Sequence, residues 1–157
     1  MVKIGVMEIK KNYKIGFDIC GLVLFLLIMI PNFIWFTVPA PNDILRVESS
    51  TNVLDGVASI FQVIMVAALC AIINRANEKT IHKPFLYGTI ISCLFYFMGW
   101  IFYYSGFTNP LIIIDLFVAP CMAFLFFALF RKNMVAIIPT MIFMICHSVH
   151  GILNYII

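Results

Sequence analysis

Apolar residues run along this chain in long blocks, without the period of two that marks a half-buried strand or the 3.6 period of an amphipathic helix. Five blocks stand out, over approximately 15–38, 53–73, 85–102, 110–130 and 134–157, with short polar stretches between them. A helix rises about 1.5 Å per residue, so roughly 20 apolar residues cover a hydrocarbon core about 30 Å thick. Each block therefore predicts one membrane-spanning helix, and together they predict an all-α integral membrane protein, a compact bundle of five transmembrane helices forming a single domain over 1–157. The first block is too long for a signal-peptide core and is followed by no A-x-A pattern, so it reads as a retained helix. Only the segment 39–52 is a connection of any size, which leaves no room for a soluble domain.

Composition makes the same point independently. Of 157 residues, 64% are hydrophobic and 11% charged, against roughly 45–50% and about 25% in soluble domains. Too little polar surface is available for a water-facing exterior, and both disorder and nucleic-acid binding are excluded. The expected surroundings are a lipid bilayer, together with further copies of the chain or a membrane partner protein. Cys20, Cys70, Cys93, Cys121 and Cys146 lie singly within apolar stretches, with no C-x-x-C, and read as packing residues.

The net charge of +3 is informative through its placement. Nine of the ten basic residues fall before the first block (Lys3, Lys10, Lys11, Lys14), after the second (Arg75, Lys79, Lys83) or after the fourth (Arg131, Lys132), and only Arg46 falls at the opposite ends. By the positive-inside rule this predicts a cytoplasmic N-terminus and an external C-terminus. Trp35, Trp100, Tyr103, Tyr104 and Tyr155 near the outer ends read as an interfacial aromatic belt.

Local signals predict how the helices begin and bend. Pro39 and Pro41 stop the first helix, Asn42 with Asp43 predicts the cap of a short surface helix, and Asn52 with Asp55 resembles a capping pair. Asp18 has Lys14 one helical turn earlier as its expected partner. Pro31, Pro120 and Pro139 lie within spans and are expected to bend them.

The polar residues inside the spans are few, and counting in from the ends places Asn32, Gln62, Asp115, His147 and His150 in the outer half. The fourth and fifth helices are joined by a minimal turn near Lys132 and must run antiparallel, which puts Asp115 level with Val149, between the two histidines. On the third helix Cys93, Tyr96, Trp100 and Tyr103 share a face, with Tyr96 close to the level of Asp115. The pattern thus predicts a polar layer of Asn32, Gln62, Tyr96, Asp115, His147 and His150 opening outward. An ionisable residue at membrane depth normally faces the bundle interior or a wet cavity, so Asp115 is the leading candidate for a ligand-binding or proton-linked role. A clamp between Asp115 and His147 or His150 is the simple structural alternative. The same three residues offer a weaker possibility of metal ligation, without an H-E-x-x-H motif to support it.

No G-x-G-x-x-G, P-loop or G-x-S-x-G is present, and no cofactor is expected. Three classes of function fit: binding or transport of a small solute through the outer polar pocket, a non-catalytic accessory or assembly subunit, and a membrane-embedded enzyme with an Asp/His site. At Pro31-Asn32-Phe33-Ile34-Trp35-Phe36, Val38-Pro39-Ala40-Pro41-Asn42-Asp43-Ile44-Leu45, Arg131-Lys132-Asn133-Met134 and Ile145-Cys146-His147 the chain resembles a group of uncharacterised small five-helix bacterial membrane proteins. That resemblance covers the whole chain and implies a bacterial cytoplasmic membrane location and no established activity. The build is also similar in size to the tryptophan-rich sensory protein (translocator) family, which binds porphyrins and sterols; with two Trp and none of that family's Trp-Pro patterns, the likeness is one of size.

Overall fold

The apolar blocks fold as helices because a backbone in lipid has no water to bond and must satisfy its own N–H and C=O groups. A computed structural model describes residues 12–75 and 83–157. It contains α1 (Ile19–Thr37), α2 (Asn52–Ala71), α3 (Lys83–Tyr104), α4 (Pro110–Phe130) and α5 (Met134–Tyr155). All five are long and apolar enough to cross a membrane, and the chain is a multi-pass membrane protein. Lys3, Lys10, Lys11 and Lys79, four of the basic residues used to orient the chain, lie outside the described residues.

Two short strands, β1 (Tyr13–Ile15) and β2 (Ile72–Asn74), pair antiparallel with Tyr13 opposite Asn74. They replace the ends of two expected spans, since the first block begins its helix at Ile19 and the second ends at Ala71. The ladder continues through Gly16 N–H to Ala71 O (3.1 Å) and Asp18 N–H to Cys70 O (2.7 Å), so carbonyls left open at the C-terminus of α2 find partners. With Lys14 in a strand, the expected one-turn pairing to Asp18 has no helix to carry it. Asp18 instead caps α1, accepting from Cys20 N–H at 3.0 Å, and binds the Arg131 guanidinium at 2.7 Å.

Tight hairpins join α3 to α4 and α4 to α5, and each begins with the same helix-stop geometry. Gly106 at φ +90° and Lys132 at φ +50° occupy the left-handed position. Phe107 N–H reaches back to Phe102 O and Asn133 N–H to Ala128 O, giving two Schellman stops. Asn133, only 1% exposed, then caps α5 through Ala136 N–H while its amide donates to Ala68 O and Ile72 O of the second span. One side chain thus starts a helix and fastens the turn to a neighbour 61 or more residues away in sequence. α4 packs between α3 and α5, α5 packs against α2, and α1 lies mainly along α2.

At the opposite end of the bundle, the segment between α1 and α2 folds down as a loop with a single 3-10 turn at Ile44–Arg46. The expected surface helix is therefore reduced to three residues, and Asn42 does not cap it: its amide donates to Gly106 O at 2.9 Å. The Asn52–Asp55 capping pair also does not form, because Thr51 occupies the cap position and its hydroxyl is bonded elsewhere. Trp100 and Tyr103, expected in an interfacial belt, are buried at 6% and 0% exposure, in line with Cys93 and Tyr96 on the inward face of α3. Large apolar side chains such as Val63, Leu94 and Leu111 point outward, as a lipid-facing surface requires.

Candidate functional site

All five helices contribute to one half-open cavity of about 190 Å3. From α1 comes Asn32, whose amide donates to the Tyr96 hydroxyl of α3 at 2.8 Å and to Ile28 O, one turn back, at 3.2 Å. Gln62 enters from α2, Pro120 and Phe124 from α4, and Phe143 and His147 from α5. Two structural details shape the wall. Pro120 has no N–H to give to the Leu116 carbonyl, which leaves a spare acceptor where both residues line the cavity. His147 is fixed by rings on both sides, with Phe143 stacked on it and Phe117 tilted against it, each at 4.9 Å between centroids. Phe117 fits there because position 151 is glycine; a Cβ at 151 would strike its ring.

The polar lining is uncharged in kind: two amides, a phenol and an imidazole. Among the described residues neither the Gln62 amide nor the His147 ring nitrogens have a hydrogen-bond partner, so both remain available to a guest. The rest of the wall, including Phe36, Phe124 and Phe143, is apolar.

Four of the six residues of the expected polar layer, Asn32, Gln62, Tyr96 and His147, thus meet at one cavity, and Asp115 and His150 lie elsewhere. Asp115 lies at the α3–α4 interface, its carboxylate against Gly99, and lines two grooves on that flank. Counting through a hairpin sets a level and leaves the direction of a side chain open. Residues two apart on a 3.6-residue helix, such as Asp115 and Phe117, point about 200° apart. Since Phe117 packs on His147, Asp115 necessarily faces away from the histidines. No clamp between Asp115 and either histidine forms, and the described residues contain no group of three or more His, Cys, Asp or Glu able to hold a metal. His150 is 6% exposed and its Nδ1 lies 2.8 Å from the Thr51 hydroxyl. Asn154 completes that cluster, donating to Thr51 at 2.6 Å and accepting from Ser50 N–H at 2.7 Å. His150 therefore fastens the start of α2 to α5.

A carboxylate at Asp43, in the 38–51 loop, organises the cover over this end of the bundle. Trp35 Nε1 and the Tyr103 hydroxyl both donate to Oδ1 at 2.8 Å; Arg46 Nε (2.7 Å) and Ala40 N–H (3.2 Å) donate to Oδ2. Arg46 also donates to Trp35 O and lies over the Trp35 ring, 4.9 Å from its centroid. Burial by itself would raise the Asp43 pKa; the hydrogen bonds from Trp35, Tyr103, Arg46 and Ala40 outweigh it and hold the carboxyl below its ordinary range. Tyr96, Trp100 and Tyr103 form a column of edge-on rings at 6.3 and 5.7 Å that links the cavity wall to this cover. Sequence reading missed this hub because, beside the local donors Ala40 and Arg46, two of its four donors come from positions 8 and 60 residues away, and no local pattern joins them.

No protein-family model, curated protein or solved structure matches this chain.

Proposed function

We propose that this protein binds a small uncharged solute inside the membrane, in the cavity where the five helices meet. The observation that carries the reading is the unused hydrogen-bonding capacity of Gln62 and His147 in a largely apolar cavity of about 190 Å3. An apolar cavity of about 150 Å3 accommodates benzene, so a single ring bearing one polar group is the class of guest that matches this space. The ring would lie against Phe124 and Phe143, with its hydroxyl between the amides of Gln62 and Asn32 and the Tyr96 phenol. A charged guest has no counter-charge at this wall and would lose its hydration without return.

The placement of charge supports an orientation for this site. Lys14, Arg75, Lys83, Arg131 and Lys132 lie at the end of the bundle remote from the 38–51 loop, and Arg46 lies in that loop. In a bacterial cytoplasmic membrane this arrangement favours the N-terminus inside and the covered end of the cavity outside.

Phenol is a suitable probe for the protein reconstituted in lipid nanodiscs, with binding followed by calorimetry. A hydrogen bond contributes about 1 kcal/mol, or roughly fivefold in affinity. Gln62→Leu is expected to weaken phenol binding by at least that factor, and Asp115→Asn to leave it unchanged. Equal affinity in Gln62→Leu and the parent protein refutes the proposed site.

A further inference from the structure

A second opening lies on the outer flank of the α3–α4 hairpin, away from the central cavity. Gly99 leaves a notch in α3, and the Asp115 carboxylate of α4 fills it so closely that a Cβ at 99 would collide with Oδ2. Around this carboxylate is a groove of about 480 Å3 with walls that include Phe95, Met98, Phe102, Phe107 and Leu111. A smaller hollow of about 300 Å3 continues past Asp115 towards Ser92 and Met122. Asp18 and Asp43 each have an arginine; Asp115 has neither ion pair nor hydrogen bond among the described residues. A carboxylate facing hydrocarbon is costly, and an ionisable residue within a span is a functional-site candidate by default.

We propose that this groove is a binding site for a single-chain alkylammonium amphiphile, its primary ammonium on Asp115 and its tail along Phe95, Met98 and Leu111. The groove has the size and make-up of a small-molecule site, apolar walls with one or two placed polar groups. Phe102 and Phe107 add aromatic faces that favour a cation. A second copy of this chain is a poor occupant: on this half of the bundle the described basic residue is Arg46, already held by Asp43, so another copy brings no cation to the depth of Asp115. An aminophospholipid is disfavoured for a related reason. Its phosphate would arrive beside the carboxylate, and Arg46, the described arginine on this half of the bundle, is already held by Asp43.

Photolabelling tests this in the full chain in phosphatidylcholine nanodiscs, with dodecylamine carrying a diazirine in its chain and peptide mass spectrometry as the readout. The expected result is labelling of α3 and α4 segments around 95–102 and 111–115. It should fall at least tenfold in Asp115→Asn, and a diazirine alcohol of the same length should label no better than that variant does. Leu111 is 77% exposed, so Leu111→Trp obstructs the groove without touching the core and should lose labelling with the carboxylate intact. Equal labelling by amine and alcohol, or full labelling of Asp115→Asn, overturns the proposal. Loss of amine labelling in phosphatidylethanolamine nanodiscs overturns it in favour of a lipid, and a protein crosslinked at position 111 in native membranes overturns it in favour of a partner helix. Phenol binding in the central cavity should be the same in Leu111→Trp as in the parent, which keeps failure at one site distinct from failure at the other.

Discussion

Two aspartates, Asp18 at the start of α1 and Asp43 in the loop that follows it, each tie several groups together. Asp18 accepts from the first turn of α1 and pairs with Arg131. Asp18→Ala removes both the cap and the ion pair, and Asp18→Asn keeps a capping oxygen. The alanine variant is therefore expected to lose about 1 kcal/mol more than the asparagine variant in SDS-titration unfolding. Asp43 holds the opposite cover through four donors. Its folded-state pKa lies below the ordinary value of about 3.9, so the stabilisation it provides is present above that value and is lost as pH falls through the lower, folded one. In a Trp100→Phe background, Trp35 emission should report the cover opening below about pH 4, and Asp43→Asn should abolish that acid transition. Asn133 makes the same point at the other end, since a residue legible only as part of a short turn proves to be a buried junction of two spans.

Between helices, close approach decides the packing. In membranes no difference in hydrophobicity drives helices together, so small residues at crossings matter. A Cβ at Gly21 would lie 2.8 Å from Leu69 O, a backbone atom that has little freedom to withdraw, whereas a Cβ at Gly56 would meet nothing within 4 Å. Gly21→Ala is expected to destabilise the α1–α2 contact by about 1–3 kcal/mol, the usual penalty for overpacking. Gly56→Ala should instead be neutral or stabilising by about 0.5–1 kcal/mol from helix propensity. Thermal unfolding of the two variants in the same detergent separates these outcomes. At this scale the helices were readable in outline, and their ends were not. The strand pair at Tyr13–Ile15 and Ile72–Asn74 joins segments that each look like part of a helix until they meet.

For the molecule as a whole, the charge pattern makes an orientation testable. On a cysteine-free background, Ser50→Cys should react with a membrane-impermeant maleimide added outside intact cells, and Lys132→Cys only after the cells are opened. The reverse pattern would invert the proposed topology and place the cavity cover on the inside. The aromatic column from Tyr96 to Tyr103 runs from the cavity wall to the cover held by Asp43.

The sequence by itself determined that five helices are long and apolar enough to cross a membrane and which polar residues fall within them, because length, hydropathy and the 1.5 Å rise are properties of each segment alone. The rotation of each helix is not such a property. It follows from which neighbour a face meets, from glycines at 99 and 151 that admit a carboxylate and a ring, and from a proline at 120. Only the tertiary structure could therefore turn Asn32, Gln62, Tyr96 and His147 into one cavity, send His150 to the Thr51 cluster, and carry Asp115 round α4 to a groove of its own.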